Sequence, residues 1–202
     1  MRILVTAFEP FGGDSVNASM AALEALPEEI FVKGQAVQVI KAGIPVVFGQ
    51  CGEVLEQVLE QVCPDGVICL GMAAGRGQIT PEVFAVNARY ARSADNAGQC
   101  FPVLSSCDPE GPAAYRSSLP VEAMVSRMQE VGIAAGLSFT AGTYVCNDLF
   151  YHLMGSVSVP AGFIHVPQAA EEAPEGRAAM AQADINRGIL ASVTVFAEML
   201  AG

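Results

Sequence analysis

Basic side chains are scarce in this sequence. Ten Lys plus Arg stand against 21 Asp plus Glu, a net charge of −11, and the ten are scattered along the chain. No nucleic-acid partner is expected, because neutralising phosphates takes a clustered basic face. Histidine is scarcer still: His152 and His165 are the two in the chain. The six cysteines, Cys51, Cys63, Cys69, Cys100, Cys107 and Cys146, include no C-x-x-C pair. With so few imidazoles, a metal site is not expected. No apolar run approaches the ~18 residues a bilayer span requires. The apolar stretch at the start is broken by Glu9-Pro10, too early for a signal peptide. The expectation is a cytoplasmic protein, away from membranes, with mostly reduced cysteines. Internal repeats and linker-like breaks are absent as well.

What the chain does have is apolar mass. It is 202 residues long, 52% hydrophobic and 15% charged, which fits one domain over 1–202 whose elements are mostly covered. Residues 2–7 read as a buried strand, followed by the aromatic, Gly-terminated loop Phe8-Glu-Pro-Phe-Gly-Gly13. A short helix follows over Ser19 to Leu26, capped by Asn17 or Ser15. Residues 36–46 alternate as a strand, and Val54, Leu55, Val58, Leu59 and Val62 give helical periodicity over 48–62. Gly66-Val-Ile-Cys-Leu-Gly71 is a continuous apolar run of the kind found in central parallel strands. The loop after it, Met72 to Gly77, resembles a phosphate cradle only loosely, since it lacks the Lys-Ser/Thr ending. Ile79–Tyr90 reads as another strand, 91–118 as a long loop or hairpin excursion, and 120–131 as a helix. Then come a strand over 133–140, a helix holding Cys146, a strand ending at His165, and a last helix over 176–200. Alternating strands and helices predict a single-domain α/β protein, a three-layer αβα sandwich around a mainly parallel sheet. Ligands of such sheets bind beyond the carboxyl ends of the strands, where the Phe8 loop, the Gly71–Gly77 loop, Cys146 and His165 all fall.

Cys146 stands where an apolar run ending at Ala141-Gly142 passes into a helix. There, unpaired N–H groups and the helix dipole favour a thiolate and can receive an oxyanion. A small buried hydrophobe is the alternative. His152 lies six residues on, displaced ~9 Å along the helix and ~240° around it, and so out of reach. His165, at the end of the next strand, is the candidate base, or else a structural histidine. Glu82, flanked by Val83 and Phe84, is costly to bury unpaired. It could orient the imidazole as a triad acid does, or pair with Arg89, Arg92 or solvent. Asp148 suits the first turn of the Cys146 helix.

Four stretches together resemble the pyrrolidone-carboxylate peptidase (pyroglutamyl peptidase I) family. They are Phe8-Glu-Pro-Phe-Gly-Gly13 with Val16-Asn17, Ile79-Thr-Pro-Glu-Val-Phe-Ala-Val-Asn87, Ser138-Phe-Thr-Ala-Gly-Thr-Tyr-Val-Cys146-Asn, and Gly162-Phe-Ile-His-Val-Pro167. The resemblance implies Cys146 as nucleophile, His165 as base, Glu82 as its orienting acid and Arg92 near the oxyanion. It implies Phe8, Phe11, Tyr144 and Val145 as an apolar pocket for the pyroglutamyl ring, with Met72 at the position of a common glutamine. Val83 replaces a common basic residue. No cofactor is implied, and the family commonly forms homo-oligomers. The expected activity is thiol-dependent removal of N-terminal pyroglutamate from peptides through a thioester. Two alternatives stay beside it: a catalytically silent binder of lactam ends, suggested by Met72 and Val83, and a phosphate-using transferase built on the Gly71–Gly77 loop.

Overall fold

A computed structural model describes residues 1–13 and 15–202. Its centre is a six-stranded sheet. In chain order the strands are β1 (Arg2–Phe8), β2 (Glu29–Val32), β3 (Gln35–Ile44), β4 (Gly66–Met72), β5 (Thr80–Pro81) and, much later, β10 (Ala161–Val166). Across the sheet the order is β2-β3-β1-β4-β10-β5. The four inner strands run parallel, while β2 and β5 pair antiparallel at the edges. Every residue of β4 is buried, which explains why that strand reads as an unbroken apolar run.

Side-chain alternation sorts these strands onto two cores. Ile3, Val5 and Ala7 of β1, Ile68, Leu70 and Met72 of β4, and Ile164 and Val166 of β10 face one side. They meet α1 (Ala18–Ala25), α3 (Val121–Glu130) and α5 (Gln182–Leu200). Leu4, Phe8, Val67, Cys69, Ala161 and Phe163 face the other side, against α2 (Gln50–Val62) and α4 (Val145–Ser156). The expected αβα sandwich is what the chain forms.

Local departures from the sequence expectation have identifiable causes. Residues 79–90 are not one strand. Glu82 still donates its N–H to Phe163 O at 2.9 Å, and beyond it the chain leaves the sheet. It then forms two ribbons outside it, β6 (Phe84–Val86) with β9 (Ala114–Arg116) and β7 (Arg89–Ala91) with β8 (Phe101–Ser105). Part of the 91–118 excursion is therefore ordered by pairing. Residues 133–140 make isolated bridges (Ile79 to Ala135, Glu82 to Ser138) in place of a strand. α5 starts at Gln182, six residues later than expected, after an irregular segment with Gly176 at φ +79°. β2 carries no strong pattern of its own. It forms because Lys33-Gly34, with φ of 49° and 77°, closes a tight hairpin onto β3.

Candidate active site

His165 lies on the α4 side of β10 because it continues the alternation of Ala161 and Phe163, and it is 3% exposed. In the parallel ladder it stands beside Gly71 of β4. Gly71 leaves open the space that Cys146 uses. A Cβ built there would meet Phe163 Cζ at 2.7 Å and Cys146 Sγ at 3.1 Å. Helix α4 therefore sets its sulfur down on the strand position next to the imidazole. Gly71→Ala is expected to displace the sulfur or the Phe163 ring. It should lower kcat/KM at least ~10-fold and stability by about 1–3 kcal/mol; wild-type kinetics in this variant, measured alongside its thermal unfolding, would refute the packing argument.

Glu82 supplies the third group. It is 0% exposed, and its Oε1 lies 2.7 Å from His165 Nδ1. Arg76 Nη1 donates to the same oxygen at 2.7 Å. Burial works to raise the Glu82 pKa, but the bond and charge of His165, the polar Ser138 nearby and the bond from Arg76 outweigh it and hold the acid below its ordinary value. Burial lowers the His165 pKa, against the bond and charge of Glu82. The resting pair is thus a carboxylate and a neutral imidazole, with the proton on Nδ1 and the Nε2 lone pair free.

Cys146 differs from the sequence expectation. Burial, with the charge of Glu82, pushes its thiol up to about 12, against the lowering effects of Arg76 and its own backbone N–H. A place near the start of α4 does not by itself make a thiolate here. Alkylation by iodoacetamide is expected to keep accelerating as pH rises beyond 9. A rate that levels off near neutrality, followed by mass spectrometry, would show a preformed thiolate.

The loop before Cys146 is held firmly. Gly142 has φ +82°, Thr143 donates its hydroxyl to Tyr90 O at 2.8 Å, and Tyr144 Oη donates to Ala94 O at 2.9 Å. After it, Asn147 bonds Val86 and Ala88, while Asp148 accepts from Arg89 and from Gly49 N at the start of α2. The sequence offered no sign that Asn147 was structural, and Asp148 proves to cap a neighbouring helix as well as beginning its own.

Beside the start of α4 opens a cleft of about 460 Å³, lined by Phe11, Gly12, Tyr90, Ala91, Arg92, Thr143 and Tyr144. Phe11, Tyr144 and Arg92, expected near the substrate, come together here. Arg92 is exposed on its rim, donating Nε to Tyr90 Oη at 3.1 Å. Phe8 is buried and tilts against Phe163 at 6.4 Å, so it backs the site rather than lining the cleft. The Val145 side chain is buried in the α4-side core. The Met72 side chain points the other way. Met72 follows Gly71 by one residue, so its side chain enters the opposite core beside Gly13, Ser15, Val16 and Gln168. Met72→Gln is therefore expected to leave KM within about twofold.

Neither Arg89 nor Arg92, the basic partners that the sequence offers Glu82, holds it. Arg76 does. The signal was present in the sequence, since a buried acid requires a cation and Arg76 precedes it by six residues. His152 bonds Glu56 at 2.8 Å and lies outside the relay, as its spacing required. No cluster of His, Cys, Asp and Glu among the described residues is arranged to hold a metal.

Residues 1–199 match the sequence model of the family described as Pyroglutamyl peptidase. The chain belongs to that family. The pyrrolidone-carboxylate peptidase of Streptococcus pyogenes (serotype M5, strain Manfredo) is 40% identical over 200 residues, covering 96% of this chain and 91% of the relative. Pyroglutamyl peptidase I of Bacillus amyloliquefaciens superposes with a TM-score of 0.90 at 37% identity, covering 97% of both chains. The pyrrolidone carboxyl peptidase of Thermococcus litoralis gives 0.91 at 31% identity, covering 99% of this chain and 94% of the other. Family membership thus extends over both cores and the cleft, well beyond the segments around Glu82, Cys146 and His165.

Proposed function

We propose that this protein is a cysteine exopeptidase that hydrolyses the N-terminal pyroglutamyl residue from peptides. The observation that carries this reading is the buried bond between Glu82 and His165, with the Cys146 sulfur set over Gly71 beside that imidazole. Glu82 keeps the His165 proton on Nδ1. Nε2 then takes the Cys146 proton as Sγ attacks the pyroglutamyl carbonyl carbon. The oxyanion is received by the unpaired N–H groups at the start of α4, with Arg92 at the cleft rim as a further donor. The tetrahedral species collapses and the amine leaves with the proton from His165, so that a thioester remains. Water, deprotonated by His165, cleaves it to pyroglutamate and regenerates the thiol. The cleft walls of Phe11, Tyr90 and Tyr144 suit a compact lactam without an ammonium group.

The test is release of a chromogenic amine from its pyroglutamyl conjugate, beside the prolyl and glutamyl conjugates. Turnover restricted to the pyroglutamyl compound is expected. Binding without product at any enzyme concentration would instead indicate a silent binder. Of the two departures that suggest this, Met72 and Val83, the Met72 side chain lies on the far side of the sheet. The phosphate-using alternative loses its footing because Arg76, the one cation of the Gly71–Gly77 loop, is committed to Glu82. We also infer self-association, supported by Val103 and Leu104, which stand 76% and 68% exposed on ribbon strand β8. A monomer in sedimentation at micromolar concentration would oppose it.

A further inference from the structure

Arg76 has no role in the mechanism just described, yet its placement is unusual. One nitrogen, Nη1, donates to Glu82 Oε1 and to the Thr80 hydroxyl, while Nη2 donates to the Thr140 carbonyl at 3.4 Å. Glu82 Oε1 is also the oxygen that His165 uses. Thr140 begins the tight loop that leads into α4 and Cys146. One guanidinium therefore touches the strand leading to the acid, the acid itself, and the chain leading to the nucleophile. The other arginines near the site are engaged elsewhere, Arg89 with Asp148 and Arg92 with Tyr90.

We propose that Arg76 is a positioning residue of the relay: it shares Glu82 Oε1 with His165, holds that carboxylate aimed at the imidazole, and ties it to the Thr140 carbonyl so that acid and nucleophile keep their spacing. This deepens the proposed peptidase reading and rests on it. A planar, permanently charged fork suits the task, since it reaches two acceptors on different segments without changing its protonation. Charge balance points the same way. A buried Glu82 carboxylate next to a neutral imidazole leaves one negative charge, which Arg76 neutralises. The titratable and charged groups facing the imidazole are Glu82 and Arg76 from the segment between β4 and β6, and Cys146 from α4. The sulfur in turn has Cys51 of α2 and Tyr144 as its other titratable neighbours.

The sign of the effect follows. Without the cation, Glu82 favours the imidazolium more strongly, so His165 protonates at higher pH and the neutral, working form is lost sooner on acidification. In Arg76→Met the acid limb of kcat/KM is expected to move up by about one pH unit. kcat should fall about 10- to 100-fold while KM stays within about threefold. The side chain is 30% exposed, on the rim of a cleft of about 580 Å³. Added guanidinium ion at millimolar concentration should therefore restore part of the kcat of Arg76→Ala, and should do nothing for Glu82→Gln. Arg76→Lys is expected to keep the wild-type acid limb, since it keeps the charge, but to lose several-fold in kcat, since it loses the fork.

The His165 titration can be followed by NMR in a His152→Gln background, where it is the sole imidazole, and needs no turnover. Absence of pyroglutamyl hydrolysis in the wild type would sink the peptidase reading and leave this titration readable. An Arg76→Met titration and acid limb superimposable on the wild type, with no rescue by guanidinium, would overturn the role given to Arg76 and leave the peptidase standing. If Arg76→Met and Arg76→Ala fail to fold, Arg76→Lys decides: full wild-type kcat overturns the proposal, and reduced kcat with an unmoved limb upholds it.

Discussion

Cys146→Ala is expected to fold normally and to lose at least about 10⁴-fold in kcat. The sulfur contributes little that packing would miss. It is a small group in a half-buried position, and shortening it to a methyl leaves Gly71, Phe163 and the N-terminus of α4 where they are. On the proposed mechanism the chemistry has no substitute, because neither histidine can form the thioester. Cys51 is buried, with its thiol driven above the ordinary range chiefly by burial and then by the charge of Asp148. Cys69 is buried within β4. The measurement is the pyroglutamyl-conjugate assay with circular dichroism and thermal unfolding on the same preparation. Substantial residual turnover in a folded Cys146→Ala protein would remove the nucleophile from the proposal.

Glu82→Gln is expected to cost about 10³- to 10⁴-fold in kcat with little change in KM. An amide in place of the carboxylate can turn its NH₂ toward His165 Nδ1. The proton then moves to Nε2, and the ring presents a donor to the thiol where an acceptor is needed. The same change deprives Arg76 of its counter-ion. Because Arg76 is partly exposed, the stability loss is expected to be modest, about 1–2 kcal/mol. A variant that retains more than a tenth of wild-type kcat would mean that Glu82 serves structure and leaves the tautomer alone.

Acid should disable this protein in two ways. Glu82 has a folded-state pKa below its unfolded value, so its stabilising contribution is present above the unfolded carboxylate range and disappears as pH falls through the folded value. His165 also has a folded-state pKa below its unfolded value. Below about pH 6.5 the unfolded chain takes up a proton there that the folded protein resists, so stability declines again. Activity should hold through neutrality and fall on an acid limb lying below about 6.5, as Nε2 becomes occupied. A limb above 7 in the wild type would mean that Glu82 outweighs burial and that the resting imidazole is charged.

Much of this protein was determined by sequence alone. The continuous apolar run of β4, the helical periodicity of α2 and the Gly-Thr-Tyr-Val-Cys junction are local signals, carried by neighbouring residues, and each became the element it implied. The order of strands and helices was enough for the αβα sandwich, and four short stretches were enough for the family. The tertiary structure decided whatever depended on which face of a strand a side chain takes or on which distant charge it meets. Met72 and Gly71 are adjacent in sequence, but the pleat sends one into the far core and places the other under the Cys146 sulfur. Glu82 could have met Arg89, Arg92 or water, and only the fold of the 72–82 segment brings it Arg76. The thiol of Cys146 has a helix terminus in its favour and burial against it, and that balance belongs to the packed molecule because desolvation is set by everything that surrounds the sulfur.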